Sequence, residues 1–331
     1  MKKIKIAQIG MSQNSHGDEI FKFINNSDLF EVVGYALPEN EREKFPNKMH
    51  VFEGCREMTV EEILNDPEIE AVTVETEEIY LTKYALMAAE HKKHMHMEKP
   101  GSQNLKDFEK LIETVKKNKT VFHTGYMYRY NPYISKLLER IKNGELGDII
   151  SVEAQMSCKH SDEIRNWLSC FEGGIMFFLG CHLVDLILQI QGMPKNIIPF
   201  NKCTKLNGTT SEDYSMAVFE YDKGVSFAKT TSVERGGFLR RQLVVTGTKG
   251  MIEVKPLETT IKYPLLTTSY KEVIGDDDWN ANSDVITTEQ FDRYTAMLTS
   301  FAKMVLGEKE NPWSYDYELE LYKTVLKCCG K

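Results

Sequence analysis

Hydrophobic positions in the first 125 residues gather into short apolar runs that alternate with longer amphipathic stretches. The apolar runs predict buried strands, and the stretches with apolar residues three or four apart predict helices. We predict strands over residues 3–9, 30–37, 71–75, 94–97 and 120–124, and helices over 15–26, 59–64, 79–90 and 105–117. Strands that alternate with helices in this way are typical of a doubly wound parallel sheet.

The pattern changes after Gly125, where longer β-rich segments replace the alternation. Strands are predicted over residues 149–158, 214–221, 225–233, 242–246 and 251–254, and helices over 133–143, 175–191, 287–305 and 315–327. Turn sequences such as Asp222-Lys223-Gly224 join consecutive strands, which favours antiparallel pairing. The sequence therefore predicts an α/β chain with two domains. Residues 1–124 form a Rossmann-type doubly wound parallel sheet, and residues 125–331 form an α+β domain with a large, mostly antiparallel open sheet.

Length and charge exclude several classes of partner. The chain has 331 residues, enough for two hydrophobic cores, and a formal net charge of −8. An acidic surface repels nucleic-acid phosphates and acidic membranes, and the sequence has no apolar run of about 18 residues that could span a bilayer. We therefore expect no nucleic acid and no membrane among its partners.

The cysteines and histidines give no sign of a disulfide framework or a metal centre. Seven cysteines occur at irregular spacing without a C-x-x-C pair, which favours free thiols in a reducing cytoplasm. The apolar N-terminal stretch is short and is interrupted by Gln8, so we expect no export signal. His94, His96 and Glu98 share one face of a strand, but helices are expected to cover that face. Packing is the better interpretation, and we expect no metal.

A series of motifs runs through nearly the whole chain. Glu98-Lys99-Pro100 follows a predicted strand, and Gly-Tyr-Met-Tyr-Arg-Tyr-Asn-Pro at residues 125–132 follows the next one. Later members are residues 144–147 (Gly-Glu-Leu-Gly), 172–174 (Glu-Gly-Gly), 180–185 (Gly-Cys-His-Leu-Val-Asp) and 247–250 (Gly-Thr-Lys-Gly). In order and spacing this series resembles the glucose–fructose oxidoreductase / inositol dehydrogenase (Gfo/Idh/MocA) family.

The resemblance implies a catalytic pair. In the family the lysine of E-K-P orients the substrate hydroxyl, and a histidine of a G-x-H-x-x-D segment exchanges its proton; Lys99 and His182 match these positions. The residue types suit the chemistry, because removing hydride from a carbinol carbon needs a base that titrates near neutral pH. Asp185 lies within one helical turn of His182. It either orients the imidazole or belongs to a local hydrogen-bond network.

The resemblance also implies NAD or NADP as cofactor. The pyrophosphate loop corresponds to Gly10, Ser12, Asn14 and Ser15, and only the first glycine of G-x-G-x-x-G is kept. The remaining cofactor-binding positions are Leu37, Thr76, Glu98, Pro100 and Arg129. The sequence leaves the choice between NAD and NADP open.

Tyr128, His160 and Trp167 are the candidate substrate-binding residues. A polar and aromatic loop before Gly173 resembles the sugar-facing wall of the family, where an indole packs against a ring face and polar groups bind hydroxyls. Arg240-Arg241 fits either a strand edge or a substrate-facing loop.

Several positions depart from the family pattern. Phe178 stands four residues before His182, where the family commonly has an aspartate. Leu37 stands where an acidic residue holds the adenosine ribose, with Glu39, Asn40 and Arg42 close in sequence. Three carboxylates, Glu75, Glu77 and Glu78, flank Thr76 and would repel a pyrophosphate unless they point away from it.

The sequence thus predicts an NAD(P)-dependent oxidoreductase that transfers hydride to or from a secondary alcohol of a sugar, cyclitol or related polyol. The alternative is a catalytically weakened sugar-binding or regulatory protein on the same scaffold, and non-redox enzymes that retain the cofactor form a third class. We also expect a homo-oligomer, a dimer or a tetramer, because a broad sheet leaves one face to be covered.

Overall fold

The computed structural model describes residues 2–275 and 283–331. They form two compact units. The first unit contains residues 1–126 and 294–320, and the second contains residues 127–293 and 321–331.

A parallel sheet forms the centre of the first unit. Its strands lie in the order β2-β1-β3-β4-β5. The elements of the first 126 residues are β1 (Ile4–Ile9), α1 (Gly17–Asn26), β2 (Phe30–Ala36), α2 (Glu41–Lys44), α3 (Val60–Asn65), β3 (Ala71–Val74), α4 (Leu81–Glu90), β4 (His94–Met97), α5 (Leu105–Asn118) and β5 (Phe122–Thr124). All four strand pairings are parallel. The order places the topological switch between β1 and β3, where open α/β sheets bind their ligands.

A larger sheet dominates the second unit. Its elements are α6 (Pro132–Lys142), β6 (Ile149–Ser157), α7 (Asp162–Trp167), α8 (Cys181–Gln191), β7 (Asn196–Lys202), β8 (Tyr214–Glu220), β9 (Val225–Thr231), β10 (Gln242–Gly247), β11 (Gly250–Val254), β12 (Thr259–Lys262), β13 (Leu265–Thr267), β14 (Ser269–Ile274), β15 (Ile286–Thr287) and β16 (Phe291–Asp292). Eight strands follow the order β15-β14-β11-β10-β6-β9-β8-β7, and β12, β13 and β16 form a small separate sheet. Within the large sheet β6 and β9 pair in parallel, and the other pairings are antiparallel.

Two C-terminal helices complete the chain. Helix α9 (Thr295–Val305) belongs to the first unit, where Phe301 stacks on Phe30 and joins the core around β1. Helix α10 (Tyr315–Cys328) begins in the first unit and ends in the second. Within the first unit its Tyr315 hydroxyl donates to the Thr120 carbonyl beside β5 at 2.6 Å. Both helices therefore anchor to the parallel sheet through elements distant in sequence.

The structure confirms the predicted fold class: a Rossmann-type parallel sheet followed by a large, mostly antiparallel sheet. Three details of the prediction are wrong. The helix predicted from residue 287 begins at Thr295, because residues 286–287 and 291–292 pair as short strands. Strand β7 and the strands between 259 and 274 have no counterpart in the prediction. Pro199 within β7, and Pro256 and Pro264 next to the others, weakened their strand pattern.

None of the helices in the described part of the chain is both long enough and apolar enough to cross a membrane.

Candidate functional site

The loop after β1 turns sharply at Gly10. Gly10 has a φ of +83°, and a Cβ atom there would lie 2.2 Å from Cγ2 of Thr76, so glycine is required at this position. The buried Gln8 side chain holds both ends of the loop, because its Nε2 donates to the carbonyls of Gly10 at 3.1 Å and Gly17 at 3.3 Å. The loop therefore has a fixed entry and a fixed exit.

Serine hydroxyls shape the loop where the fingerprint would place glycines. Ser12 and Ser15 are both buried. Ser12 Oγ accepts from the Asn14 amide at 3.3 Å, and Ser15 Oγ accepts from the Gly17 amide at 3.4 Å. Such side-chain acceptors stabilise tight turns without a positive φ. The two substitutions thus preserve a turned backbone before the N-terminus of α1.

Gly17 takes over a packing role that the sequence analysis missed. A Cβ atom at Gly17 would lie 3.0 Å from Cβ of Glu75 and 3.3 Å from Sδ of Met11. The third glycine of the fingerprint normally permits this close approach of helix and strand. Here the glycine lies two positions later, and the only sequence signal was its place at the start of the helix.

The three carboxylates beside Thr76 do not present three negative charges to the loop. Glu77 forms an ion pair with Lys44 at 3.0 Å. Glu75 and Glu78 are fully buried, and none of their four carboxyl oxygens has a hydrogen-bond partner among the described residues. Burial raises the pKa of Glu78 to about 8, and burial together with Glu98 and Glu78 raises the pKa of Glu75 well above its usual range. At pH 7 these shifts favour the neutral form of both carboxyls.

Glu75 lies next to a buried pair of histidines. Its Oε1 lies 3.8 Å from Nε2 of His96, and Nδ1 of His96 lies 2.7 Å from Nδ1 of His123 on the neighbouring strand. Burial lowers the pKa of His96 to about 3, so this imidazole is neutral. A neutral imidazole fits an interior that holds no net charge. His96 thus packs inside the sheet, as its alternation on β4 predicted.

Lys99 follows β4 by two residues. It lies at the carboxyl end of the parallel sheet, the same end as the Gly10 loop. Glu98 and Lys99 are both about nine-tenths buried or more, and Lys99 Nζ lies 3.4 Å from Oε1 of Glu98. Burial raises the pKa of Glu98, and the charge of Lys99 opposes that rise. Pro100 follows and is also buried. A buried ammonium at the carboxyl end of a parallel strand is suited to bind an oxygen of a ligand.

Position 37, directly after β2, is apolar, and the nearest carboxylate is Glu39, two residues later. Leu37 packs on the core of the first unit and lines a cleft of about 490 Å³ with Lys83 and Tyr84. Glu39 Oε1 accepts from the Tyr84 hydroxyl at 2.5 Å and from Lys83 Nζ at 2.9 Å. Burial alone would raise the pKa of Glu39, but these two donors outweigh it and lower that pKa. Arg42 is held by Glu57 and Tyr35.

In the second unit, His182 packs against Tyr128. His182 lies in the first turn of α8 and is 4% exposed. The Tyr128 ring meets the imidazole edge-on, with ring centroids 5.3 Å apart and planes at 90°. Tyr128 follows β5 in a short helical turn and is buried. The two predicted residues are thus brought together within one unit.

A compensated charge cluster lies behind Tyr128. Arg241 and Arg293 both form ion pairs with the buried Glu258, and Arg241 Nη1 lies 3.5 Å from the Tyr128 hydroxyl. Burial would raise the pKa of Glu258, but the charges of Arg293 and Arg241 lower it overall. No motif pointed to Glu258 or Arg293, because the three charged residues lie far apart in the chain. For Arg241 the structure favours a buried site over an exposed strand edge.

Asp185 forms a buried ion pair with Arg129. Arg129 Nε and Nη2 donate to the Asp185 carboxylate at distances from 2.8 to 3.2 Å, and Gln189 Nε2 donates to it at 2.8 Å. Both charged side chains are nearly inaccessible to solvent. The bidentate geometry fixes α8 to the segment that carries Tyr128. Asp185 therefore takes part in a local network, one of the two roles expected for it.

An aromatic cluster of His160, Trp167, Phe171 and Phe178 lies at the start of the same helical segment. Trp167 on α7 meets Phe178 and Phe171 edge-on at centroid distances of 5.1 and 5.0 Å. The ring centroids of His160 and Phe178 are 6.3 Å apart. Burial, and next the charge of Arg241, lower the pKa of His160 to about 4, so its imidazole is neutral. The cluster thus adds apolar surface and one neutral polar ring.

Comparison with known proteins gives the family. Residues 4–126 match the family model described as "Oxidoreductase family, NAD-binding Rossmann fold", and residues 134–253 match the "GFO/IDH/MocA C-terminal domain". The chain is 27% identical over 193 residues to myo-inositol 2-dehydrogenase of Thermotoga maritima, covering 57% of this chain and 55% of that protein. It is 24% identical over 224 residues to the NADP(+) scyllo-inositol 2-dehydrogenase IolW of Bacillus subtilis, covering 67% of this chain and 60% of that protein.

The match therefore spans little more than half the length of these two relatives. Among solved structures, a levoglucosan dehydrogenase in complex with NADH and levoglucosan superimposes with a TM-score of 0.77 at 15% identity, covering 99% of this chain and 98% of that one. At that identity the likeness shows the fold. The two family matches together cover most of the chain, which belongs to the Gfo/Idh/MocA family of oxidoreductases.

Proposed function

We propose that the protein is an NAD(P)-dependent oxidoreductase that acts on a secondary alcohol of a sugar, cyclitol or related polyol. The observation that carries the proposal is the buried Lys99–Glu98 pair directly after β4. The family match and the inositol dehydrogenases among the relatives support the same activity.

In this proposal Lys99 and His182 divide the work on the substrate. The Lys99 ammonium holds the oxygen of the reacting carbinol and stabilises negative charge that develops on it. His182 accepts the hydroxyl proton on oxidation and returns it on reduction. A nicotinamide ring, when bound, takes up or supplies the hydride. Tyr128 positions His182 through the edge-on ring contact.

The first unit offers groups that fit a dinucleotide. The tight turn at Gly10 leaves room only for backbone, and amides at the N-terminus of α1 suit a pyrophosphate. Ser12, Asn14, Ser15 and Thr76 border this turn. Neutral Glu75 and Glu78 remove the repulsion that three carboxylates would exert, and their oxygens are available for hydrogen bonds. We assign residues 1–124 to cofactor binding and residues 125–331 to substrate binding, although residues 294–320 of the second range pack in the first unit.

The second unit also leaves apolar side chains exposed on the edge strand β7 and at the start of the interior strand β9. Ile198 and Phe200 on β7 and Val225 on β9 are 44%, 47% and 54% exposed. We propose that a second copy of the chain covers this region, giving a dimer or a tetramer. A monomeric mass in light scattering would contradict it. All seven cysteines are free thiols, which supports a reducing, cytoplasmic location.

Turnover of the Lys99→Ala variant tests the activity. The full-length protein is screened with NAD⁺ and NADP⁺ against sugars and cyclitols, and the best substrate is used for the variant. We expect kcat/KM to fall by on the order of a thousandfold, because a charge aligned with the reacting oxygen is lost. Lys117→Ala, on the exposed end of α5, is the matched control and keeps full activity. Wild-type activity in Lys99→Ala would overturn the assignment.

A further inference from the structure

The segment directly after β3 contains several buried polar atoms without hydrogen bonds. Glu75, Thr76 and Glu78 are all fully buried. Both carboxyl oxygens of Glu75, both of Glu78 and the Thr76 hydroxyl have no hydrogen-bond partner within residues 2–275 and 283–331. Buried polar groups are normally satisfied, and a buried carboxyl without donors is more stable when it carries a proton. The fold therefore favours the proton-bound form of both carboxyls.

This segment lies against the Gly10 loop and the start of α1. A Cβ atom at Gly17, the first residue of α1, would lie 3.0 Å from Cβ of Glu75, and a Cβ atom at Gly10 would lie 2.8 Å from Cα of Thr76. Two residues of chain span at most about 7 Å, so Glu78 is also close to the loop. Both carboxyls therefore lie next to the backbone amides that are proposed to bind the pyrophosphate.

Acidic groups from neighbouring segments face the two carboxyls: Asp18 from α1, Glu77 between them in sequence, and Glu98 from the segment after β4. Lys99 opposes these groups, and His96, 3.8 Å from Glu75, stays neutral because burial lowers its pKa to about 3. Burial is the largest cause for both carboxyls, and it raises the pKa of Glu78 to about 8 and that of Glu75 well above its usual range. Loss of a proton therefore adds negative charge to a region that already contains several carboxyls.

We propose that Glu75 and Glu78 make dinucleotide binding pH-dependent: the Gly10 loop binds the anionic cofactor tightly when both carboxyls carry protons and weakly once Glu78 is ionised. The inference rests on the proposed function, because it concerns the regulation of that same cofactor site. A buried carboxylate and the pyrophosphate have charges of the same sign, and the protein interior screens their repulsion less than water does. By linkage, cofactor binding takes up protons wherever Glu78 is partly ionised. Affinity therefore falls as pH rises through the range in which Glu78 titrates.

Calorimetric titration of the full-length protein with NADH tests the inference, because the phosphate groups of NADH do not change charge between pH 7 and pH 9. When Glu78 titrates near pH 8, about one tenth of the protein is in the tightly binding form at pH 9. We therefore expect the dissociation constant to rise about tenfold between pH 7 and pH 9. Titrations at pH 8 in phosphate and in Tris, two buffers with different ionisation enthalpies, should report uptake of a fraction of a proton for each NADH bound.

Two variants assign the effect to the buried carboxyl. Glu78→Gln keeps the shape of the side chain and cannot ionise, so we expect it to lose most of the pH dependence and of the proton uptake. Glu77→Gln is the matched control, because Glu77 lies in the same segment but is paired with Lys44; it should keep the wild-type change of about tenfold. The proton uptake of the wild type needs no variant, and it decides the question if Glu78→Gln does not fold.

Equally tight NADH binding at pH 7 and pH 9 would overturn the inference and leave the oxidoreductase function standing. The same holds for binding without proton uptake at pH 8, or for a pH dependence that a folded Glu78→Gln protein retains. Binding with the expected pH dependence, but without oxidation of any alcohol in the turnover screen, would keep the inference and overturn the catalytic function. Absence of NADH binding at millimolar concentration at both pH values would overturn both.

Discussion

The two units differ in how fully their buried charged groups are paired. In the second unit the buried ionisable groups around Tyr128 pair with one another: Glu258 with Arg241 and Arg293, and Asp185 with Arg129. In the first unit Glu75 and Glu78 are just as buried, yet their oxygens have no partner among the described residues. Buried polar groups in folded proteins are almost always satisfied. The contrast indicates that these charges of the second unit neutralise one another, whereas the carboxyls of Glu75 and Glu78 keep hydrogen-bonding capacity for a ligand.

Breaking the charge cluster of the second unit should have the largest effect. Glu258→Gln leaves Arg241 and Arg293 buried without a counter-charge, and we expect the free energy of unfolding to fall by about 3–5 kcal/mol. Urea unfolding followed by circular dichroism measures the change. Glu139→Gln, on the exposed face of α6, is the control and should change stability by less than about 0.5 kcal/mol. An equally small effect of Glu258→Gln would show that the cluster is not a compensated network.

Replacing a buried carboxyl of the first unit by an amide should instead increase the free energy of unfolding at high pH. The pKa of Glu78 rises from about 4.5 in the unfolded chain to about 8 in the folded one, so the folded state binds the extra proton between these values. The free energy of unfolding therefore falls as pH rises from about 5 to 8, and the loss is complete above that range. We expect Glu78→Gln to be more stable than the wild type at pH 9 and to lose less stability between pH 5 and 9.

Melting temperatures across this pH range measure the Glu78 effect. Glu75 and Glu98 also have raised pKa values, so the variant keeps part of the slope. Glu113→Gln, on the exposed face of α5, should leave the wild-type slope unchanged. A Glu78→Gln protein that is less stable than the wild type at pH 9 would mean that the carboxylate has a partner in the folded protein.

Removing Glu39 should have a smaller effect, on the choice of cofactor. Glu39, which follows β2, neutralises Lys83 on α4. Glu39→Ala therefore frees a cation that can bind a 2′-phosphate. We expect the ratio of NADPH to NADH affinity to rise about tenfold, which corresponds to about 1.4 kcal/mol. Isothermal titration calorimetry with both dinucleotides measures the ratio, and Glu43→Ala on α2 is the exposed control. An unchanged ratio would place Lys83 and Glu39 away from the adenosine ribose.

The sequence predicted the fold well because the first-unit signal is local. Predicted strands of four to eight residues alternate with amphipathic helices, and each of the five parallel strands lies where it was expected. Segments with prolines, such as β7 with Pro199, lost that signal, and the strands before α9 were mistaken for its first turns. Pairing with distant strands, rather than local pattern, decides their structure.

The candidate site was predictable only where a motif carries it. Lys99 and His182 followed from motifs, and Tyr128, His160 and Trp167 from their places near them. The protonation of Glu75 and Glu78 depends on burial by elements far apart in sequence, so the sequence suggested repulsion where burial favours the neutral carboxyls. The packing role of Gly17 and the charge cluster around Glu258 could not be predicted for the same reason, because tertiary packing decides their partners.

Dinucleotide binding by the freshly purified protein tests the central claim most directly. Native mass spectrometry reports a retained cofactor, and calorimetry at pH 7 reports the affinity for NADH and NADPH. If the loop after Gly10 and the neutral carboxyls beside it form a cofactor site, the protein retains a nicotinamide dinucleotide or binds one with a micromolar dissociation constant. Absence of binding to both dinucleotides at millimolar concentration would contradict this claim and would favour a sugar-binding or regulatory protein on the same scaffold.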